Sequence, residues 1–263
     1  MDIEVECLQI ERAANGVVTL WLNRPHKRNA VSVELMDRID ATLSELENDE
    51  QVRVIAFRGR DRTFCAGADL SGAVNPTLSE VPMRFQRQMS GLYDRIYALK
   101  KPTVAAVEGA ATAGGFELML ACDFAIATLD ARIGDCHMQR GLFAGAGPLH
   151  RLPRIIGLRR SKELMMTGKL ISGAKCADWG LVNDAVPTAE FDAAVDALCA
   201  ELAGKSPFCM AMTKAAINRG LDADTASLSV LEMMTVNLVN QSHDAREGVQ
   251  AFVDKRQPVW LGR

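Results

Sequence analysis

Short apolar runs alternate with helical patterns through the first half of the chain. Val17–Leu22 (VVTLWL), Val52–Gly59 (VRVIAFRG), Pro102–Gly109 (PTVAAVEG) and Asp123–Thr128 (DFAIAT) are apolar and partly β-branched, the pattern of strands buried on both faces. Behind Ser32, the residues Leu35, Met36, Ile39, Leu43 and Leu46 recur at helical spacing, which predicts a capped amphipathic helix ending in the polar ENDEQ run. A second helix is predicted over roughly Glu80 to Leu99. Strand, helix and strand in succession imply parallel pairing through helical crossovers, and hence an α/β fold. Past Asp184 the pattern changes: segments 189–206, 207–220 and 226–256 read as helix, and no strand stands out. Pro207, shortly after Gly204 and Ser206, suits the first turn of a new helix and marks the joint to a helical region. Within that region Leu231–Val239 (LEMMTVNLV) is apolar on more than one face. It reads as a buried core helix, with an oligomer contact as the alternative.

Composition narrows the classes. The 263 residues, 48% hydrophobic and 24% charged, are ordinary for a globular chain. A net charge of −3 gives no general field for nucleic acid or an anionic membrane, so an anionic ligand needs a local basic site. The seven cysteines include no C-x-x-C pair, which favours a reduced, cytoplasmic chain. The acidic opening MDIEVECLQIERAANG is too broken for a signal segment, and no apolar run approaches the ~18 residues of a membrane span. A soluble, unprocessed protein is expected. No H-x-x-x-H, H-E-x-x-H or Cys/His quartet occurs, so no metal site is expected. A G-x-S-x-G elbow, a GxGxxG and a Walker loop are also absent.

Two small-residue stretches, each after a strand pattern, stand out: Phe64–Leu70 (FCAGADL) and Glu108–Ala125 (EGAATAGGFELMLACDFA). Gly114 and Gly115 precede a short helical segment, so unpaired N–H groups and the positive end of the helix dipole point outward there. Ala66, Gly67 and Ala68 let a ligand approach the backbone closely. Together the two loops can offer a pair of N–H donors to a developing oxyanion, although small residues also serve plain packing. Glu117 lies in the first turn of the proposed helix, either stabilising the helix terminus or acting as a general base. Glu108 is a weaker candidate. Of the four histidines, His26 is in a basic turn, His150 lies between Leu149 and Arg151, and His243 is in a polar helix. His137 is the candidate. In an extended segment it shares a face with Asp135 and not with Cys136, and a carboxylate beside an imidazole orients it and raises its pKa.

These stretches, with LNRPHKRNAVS, GLFAGAGPLHRLPRIIG, MMTGKLISGAKCADWGLVNDAVP and the terminal EGVQAFVDKR, resemble the enoyl-CoA hydratase/isomerase (crotonase) superfamily over essentially the whole chain. The resemblance implies a crotonase-like spiral of β-β-α units over residues 1–205 and a helical trimerisation region over 206–263, assembled as a homotrimer or homohexamer. It implies that the N–H groups of Ala68 and Gly114 form an oxyanion hole for a coenzyme A thioester. It further implies that Lys27, Arg28 and Ala30 border the CoA nucleotide, that Ala66, Asp69 and Leu70 flank its pantetheine and adenine, and that Phe252 and Lys255 approach the CoA, sometimes that of a neighbouring subunit. No tightly bound cofactor is implied; coenzyme A arrives as part of the substrate.

Glu117 matches the first glutamate of typical hydratases. His137 stands where the second belongs, and no acid follows in FAGAG near Gly145, where the family's isomerases often carry one. The reading that follows is a trans-2-enoyl-CoA hydratase with Glu117 activating water and His137 donating the second proton, oriented by Asp135. The alternatives are an enoyl-CoA isomerase, a hydrolase cleaving a C–C bond in a β-keto or cyclic acyl-CoA, and, in another class, a non-catalytic CoA- or RNA-binding homologue. Segment 71–96 is expected to line the acyl pocket, where Met83, Phe85 and Met89 either line it or pack the helix.

Overall fold

In the computed structural model, which describes residues 6–69 and 80–263, five parallel strands follow one antiparallel edge strand. β1 (Leu8–Arg12) pairs antiparallel with β2 (Val17–Leu22). β3 (Val54–Gly59), β4 (Thr103–Val107), β6 (Phe124–Thr128) and β9 (Asp184–Val186) then follow side by side in parallel. A second, smaller layer holds β5 (Ala110–Thr112), β7 (Arg132–Gly134) and β8 (Ile171–Ser172). Isolated bridges Val31–Ala68 and Cys65–Ala111 extend that layer toward the start of the chain. Each of β2, β3, β4 and β6 is thus followed by a short segment in the second layer and then a helix, the β-β-α spiral that the resemblance implies.

The helices arise where the polar pattern places them. α1 (Val33–Asn48) buries Leu35, Met36, Ile39, Leu43 and Leu46, and the Ser32 hydroxyl accepts from Leu35 N at 3.2 Å. That cap satisfies a donor the first turn leaves unpaired. α2 (Glu80–Ala98) crosses from β3 to β4, and α3 (Gly114–Ala121) from β5 to β6. α4 (Pro148–Thr167) breaks at Gly157, whose φ of 78° interrupts the helix. α5 (Gly173–Trp179) and α6 (Phe191–Ala203) follow.

Strand residues alternate between two cores, because successive side chains point to opposite faces. Ile55 and Phe57 enter the core shared with α1 to α4, while Val54 and Ala56 meet Phe191, Val195 and Cys199 of α6 on the other face. Burying each large apolar side chain contributes about 1.5–3 kcal/mol, which is why these strands carry almost no polar residue.

The last third forms α7 (Pro207–Gly220), α8 (Thr225–Asn240) and α9 (His243–Asp254). Ser206 caps α7 and hydrogen-bonds buried Asp244 at 2.6 Å, tying α7 to α9. Lys214 of α7 reaches Asp123 Oδ2 at 2.7 Å, at the N-terminal edge of the sheet. α8 corrects the core reading of 231–239: no residue of that helix is buried in the chain, and Met233 and Met234 are 65% and 66% exposed. Apolar character on several faces identified a helix that needs covering, but not what covers it. The strand β9 also lies just where the helical region was expected to begin. No helix among the described residues is long and apolar enough to cross a membrane.

Candidate active site

The loop after β3 is stitched on both sides. Cys65 N donates to Ala110 O at 2.9 Å and Thr112 N to Cys65 O at 3.0 Å, while Ala66 N reaches Arg28 O at 3.0 Å and Val31 N reaches Gly67 O at 2.7 Å. Gly67 takes φ 108°, and Gly115 lies so close to Cys65 that a Cβ there would stand 2.1 Å from its carbonyl oxygen. Only glycine serves at these two points. Ala113 adopts φ 51° and ψ −120° just before α3, a costly conformation for a residue with a Cβ.

This path brings Ala66–Ala68 against Ala113–Gly114. A Cβ on Gly114 would lie 3.3 Å from Ala68 N, and one on Gly67 would lie 3.3 Å from Gly114 N. Neither Ala68 N–H nor Gly114 N–H has an acceptor among the described residues. Gly114 also opens α3, where the helix dipole favours negative charge. Two backbone donors and a dipole end therefore lie close together at the start of α3.

Glu117, in the first turn of α3, is fully buried. Its Oε1 accepts from Gly145 N and Ala146 N, each at 3.0 Å, and its Oε2 has no partner among the described residues. Burial raises its pKa above the ordinary carboxylate value, outweighing the Ala146 and Gly145 N–H groups and the charge of His137, which favour the anion. His137 opens a 3-10 turn (His137–Arg140) after β7. Its Nδ1 lies 2.7 Å from Asp135 Oδ1, and the same oxygen accepts His137 N at 2.9 Å. The two side chains meet as expected, although the turn, not an extended segment, brings them together. Burial works against the imidazolium, but the hydrogen bond and charge of Asp135, with the charge of Glu117, outweigh it and raise its pKa. Glu117 and His137 thus stabilise one another's charged forms.

A cavity of about 120 Å³ lies here, lined by Ala66, Ala68, Thr112, Ala113, His137 and Arg140 among others. His137 and Asp135 also border an apolar cavity of about 270 Å³ formed with Leu142, Phe143, Pro153 and Met165. A larger space of about 380 Å³, between α7 and the α2–α4 layer, carries Lys214, Arg151 and Arg154. Those cations pair with Asp123, Asp94 and Asp222, so they balance charges already present.

The basic turn stands beside the oxyanion loop because buried Asn29 ties it there. Asn29 Nδ2 donates to Arg60 O and Thr63 O, and its Oδ1 accepts from Arg24 N at 2.9 Å. Lys27 and Arg28 are exposed on this turn and Ala30 is buried beneath it. Asp69 accepts an ion pair from Arg24 at 2.7 Å, and Arg24 also donates to Ala30 O. Arg24 was not singled out from the sequence, although its place in a basic turn was a signal. The clamp of Gly145 and Ala146 was also missed, because backbone donors have no residue-type signature. Leu70 lies outside the described residues, as does the first part of segment 71–96. Met83 is exposed, Phe85 packs on the core, and Met89 is buried beside Gly114. Glu108 pairs with Arg62. Phe252, 85% exposed, and Lys255 lie at the far end of α9. The tail beyond them reaches Arg53, before the start of β3, through Trp260 O at 3.2 Å. That is the N-terminal end of the parallel strands, whereas the oxyanion loops leave the C-terminal ends of β3 and β4.

Comparison with known proteins agrees with the fold. The enoyl-CoA hydratase/isomerase family matches residues 12–263. Human enoyl-CoA hydratase domain-containing protein 2, a mitochondrial protein, is 38% identical over 99% of this chain and 90% of its own. Mouse methylglutaconyl-CoA hydratase is 32% identical over 98% of this chain and 84% of its own. The crystal structure of enoyl-CoA hydratase from Bacillus anthracis superposes with a TM-score of 0.94 at 32% identity, covering 98% of this chain and all of that one. With the family match running over residues 12–263 and relatives 38% and 32% identical along nearly the whole chain, the chain belongs to the enoyl-CoA hydratase/isomerase family.

Proposed function

We propose that the protein is a trans-2-enoyl-CoA hydratase working with a glutamate–histidine pair. The observation that carries this reading is Glu117: its carboxylate is held through one oxygen by two backbone N–H groups, its Oε2 has no partner among the described residues, and its charge acts on the His137–Asp135 dyad. The thioester oxygen would lie between Ala68 N–H and Gly114 N–H. Glu117 accepts a proton from water as the water oxygen bonds to Cβ. Charge then develops on the thioester oxygen, where each aligned donor lowers the barrier by about 3 kcal/mol. The His137 imidazolium gives its proton to Cα, and proton transfer from Glu117 to His137 restores the pair. The net change is H and OH added across the double bond. Lys27 and Arg28, exposed on the turn, supply the local cations that a CoA nucleotide needs on an acidic chain, and Arg24 holds the turn in place through Asp69 and Ala30 O.

The same reading takes the exposed apolar side chains of α8 as an assembly surface of a homotrimer or homohexamer, in which Phe252 and Lys255 serve a neighbouring subunit's CoA. The deciding experiment offers short, long, branched and cyclic enoyl-CoA thioesters to wild type, Glu117→Gln and His137→Ala, and identifies products by mass. Gain of one water by the wild type supports hydration. Rearrangement without mass change, or chain cleavage, would instead make the protein an isomerase or a hydrolase. If His137→Ala hydrates as fast as wild type, histidine is not the donor.

A further inference from the structure

α2 turns one face toward the site. Tyr93 donates its hydroxyl to Gly114 O at 2.9 Å. One turn earlier, Met89 puts its sulfur 3.4 Å from where a Cβ on Gly114 would stand. Gln86 continues the same face at helical spacing. Its amide nitrogen is 2.5 Å from the position of a Cβ on Gly145, the residue whose N–H helps hold Glu117 Oε1. That nitrogen is buried and has no hydrogen-bond partner among the described residues; neither has Glu117 Oε2. Buried polar atoms are normally paired, and a helix needing only packing here would carry methionine or leucine. A buried donor and a buried acceptor, both left unpaired among the described residues and both belonging to side chains that touch Gly145, call for one small oxygen species that accepts from the first and donates to the second.

We propose that Gln86 is a further catalytic residue, its Nε2 donating to the oxygen that adds at Cβ, first as water poised on Glu117 and then as the product hydroxyl. The assignment rests on the hydratase reading. It makes the site selective for thioesters that bear an oxygen at Cβ, and it explains why the space beside Gly145 holds an amide.

The test is Gln86→Met, which keeps length and removes the donor, with Gln86→Leu as a second variant should the first not fold. Dissociation constants are measured by calorimetry for a 3-hydroxyacyl-CoA and for the saturated acyl-CoA of equal chain length, alongside kcat and KM for hydration. The 3-hydroxyacyl-CoA is expected to bind about tenfold more weakly and the saturated thioester to be unchanged. kcat should fall by about tenfold, with KM nearly constant, because the enoyl substrate has no oxygen at Cβ. Equal weakening of both ligands, or of neither, with a wild type that hydrates normally, overturns the role of Gln86 alone. A wild type that binds both thioesters and hydrates no enoyl-CoA overturns the hydratase reading, and Gln86 with it.

Discussion

Replacing Glu117 by glutamine separates what this carboxylate does for catalysis from what it does to stability. The carboxamide oxygen can take the place of Oε1 and still accept from Gly145 N and Ala146 N, so the loop keeps its path. The exchange weakens two charge-assisted bonds to neutral ones, a loss of about 1–4 kcal/mol in all. Against that, it removes a fully buried charge whose desolvation costs several kcal/mol. The raised pKa shows that burial outweighs the donors. A carboxyl group raised in the folded state destabilises the fold as pH climbs through its folded value, and contributes nothing once it is protonated in both states. Glu117→Gln should therefore raise Tm at pH 8 by about 2–4 °C, for a gain of about 1 kcal/mol. The difference should vanish below the ordinary glutamate value of about 4.3. Over the same range kcat should drop by about 10²–10⁴. Differential scanning fluorimetry at both pH values, with loss of enoyl-thioester absorbance as the activity assay, reads both effects. A variant less stable than wild type at pH 8 would refute the reasoning, since the carboxylate would then be net stabilising.

Three further outcomes are expected. The pH profile of kcat/KM should be a bell, falling in acid as Glu117 protonates above the usual carboxylate range and in alkali as His137 loses its proton above the usual histidine value; Asp135→Asn should pull the alkaline limb downward, and the acid limb with it because the Asp135 charge also raises Glu117, and an unmoved alkaline limb counts against His137 as the acid. Gly67→Ala forces a Cβ into a φ of 108° and to 3.0 Å from Ala113 Cβ, so kcat should fall by about 10² as the donor pair spreads; a near-normal kcat would mean that the two loops do not act as a pair. Lys27→Glu with Arg28→Glu should raise KM for every CoA thioester several-fold and flatten its salt dependence with kcat intact, and equal KM values would remove the turn from CoA binding.

The long buried elements were legible because each imposes a periodic pattern. β2 begins and ends where VVTLWL does, and α1 buries the five apolar residues its spacing predicts. β1 was not legible: as an edge strand it buries only Leu8, so no alternation appears. β5, β7 and β8 are three, three and two residues long, too short to show a period, yet they form the layer on which the site is built. Glu117 was visible as an acid in the first turn of the helix that follows Gly114 and Gly115, and Ala68 and Gly114 as small residues after strands. Arg24, Gln86 and the Gly145–Ala146 clamp were not, because their meaning lies in what distant segments place beside them. The exposed helix α8 shows the limit from the other side: hydrophobicity tells that a surface must be covered, not whether the cover is in the same chain.

The clamp on Glu117 also bears on how this loop can change over generations. Its two donors are peptide N–H groups, so the contact depends on the course of the backbone and not on the side-chain type at 145 and 146. Side-chain scanning is blind to such a contact; only proline, which has no N–H, would delete it outright. Leu142 and Phe143, exposed beside the apolar cavity, can therefore drift while Glu117 stays anchored, whereas a side chain at 145 would meet Gln86 and Ala146 is fully buried.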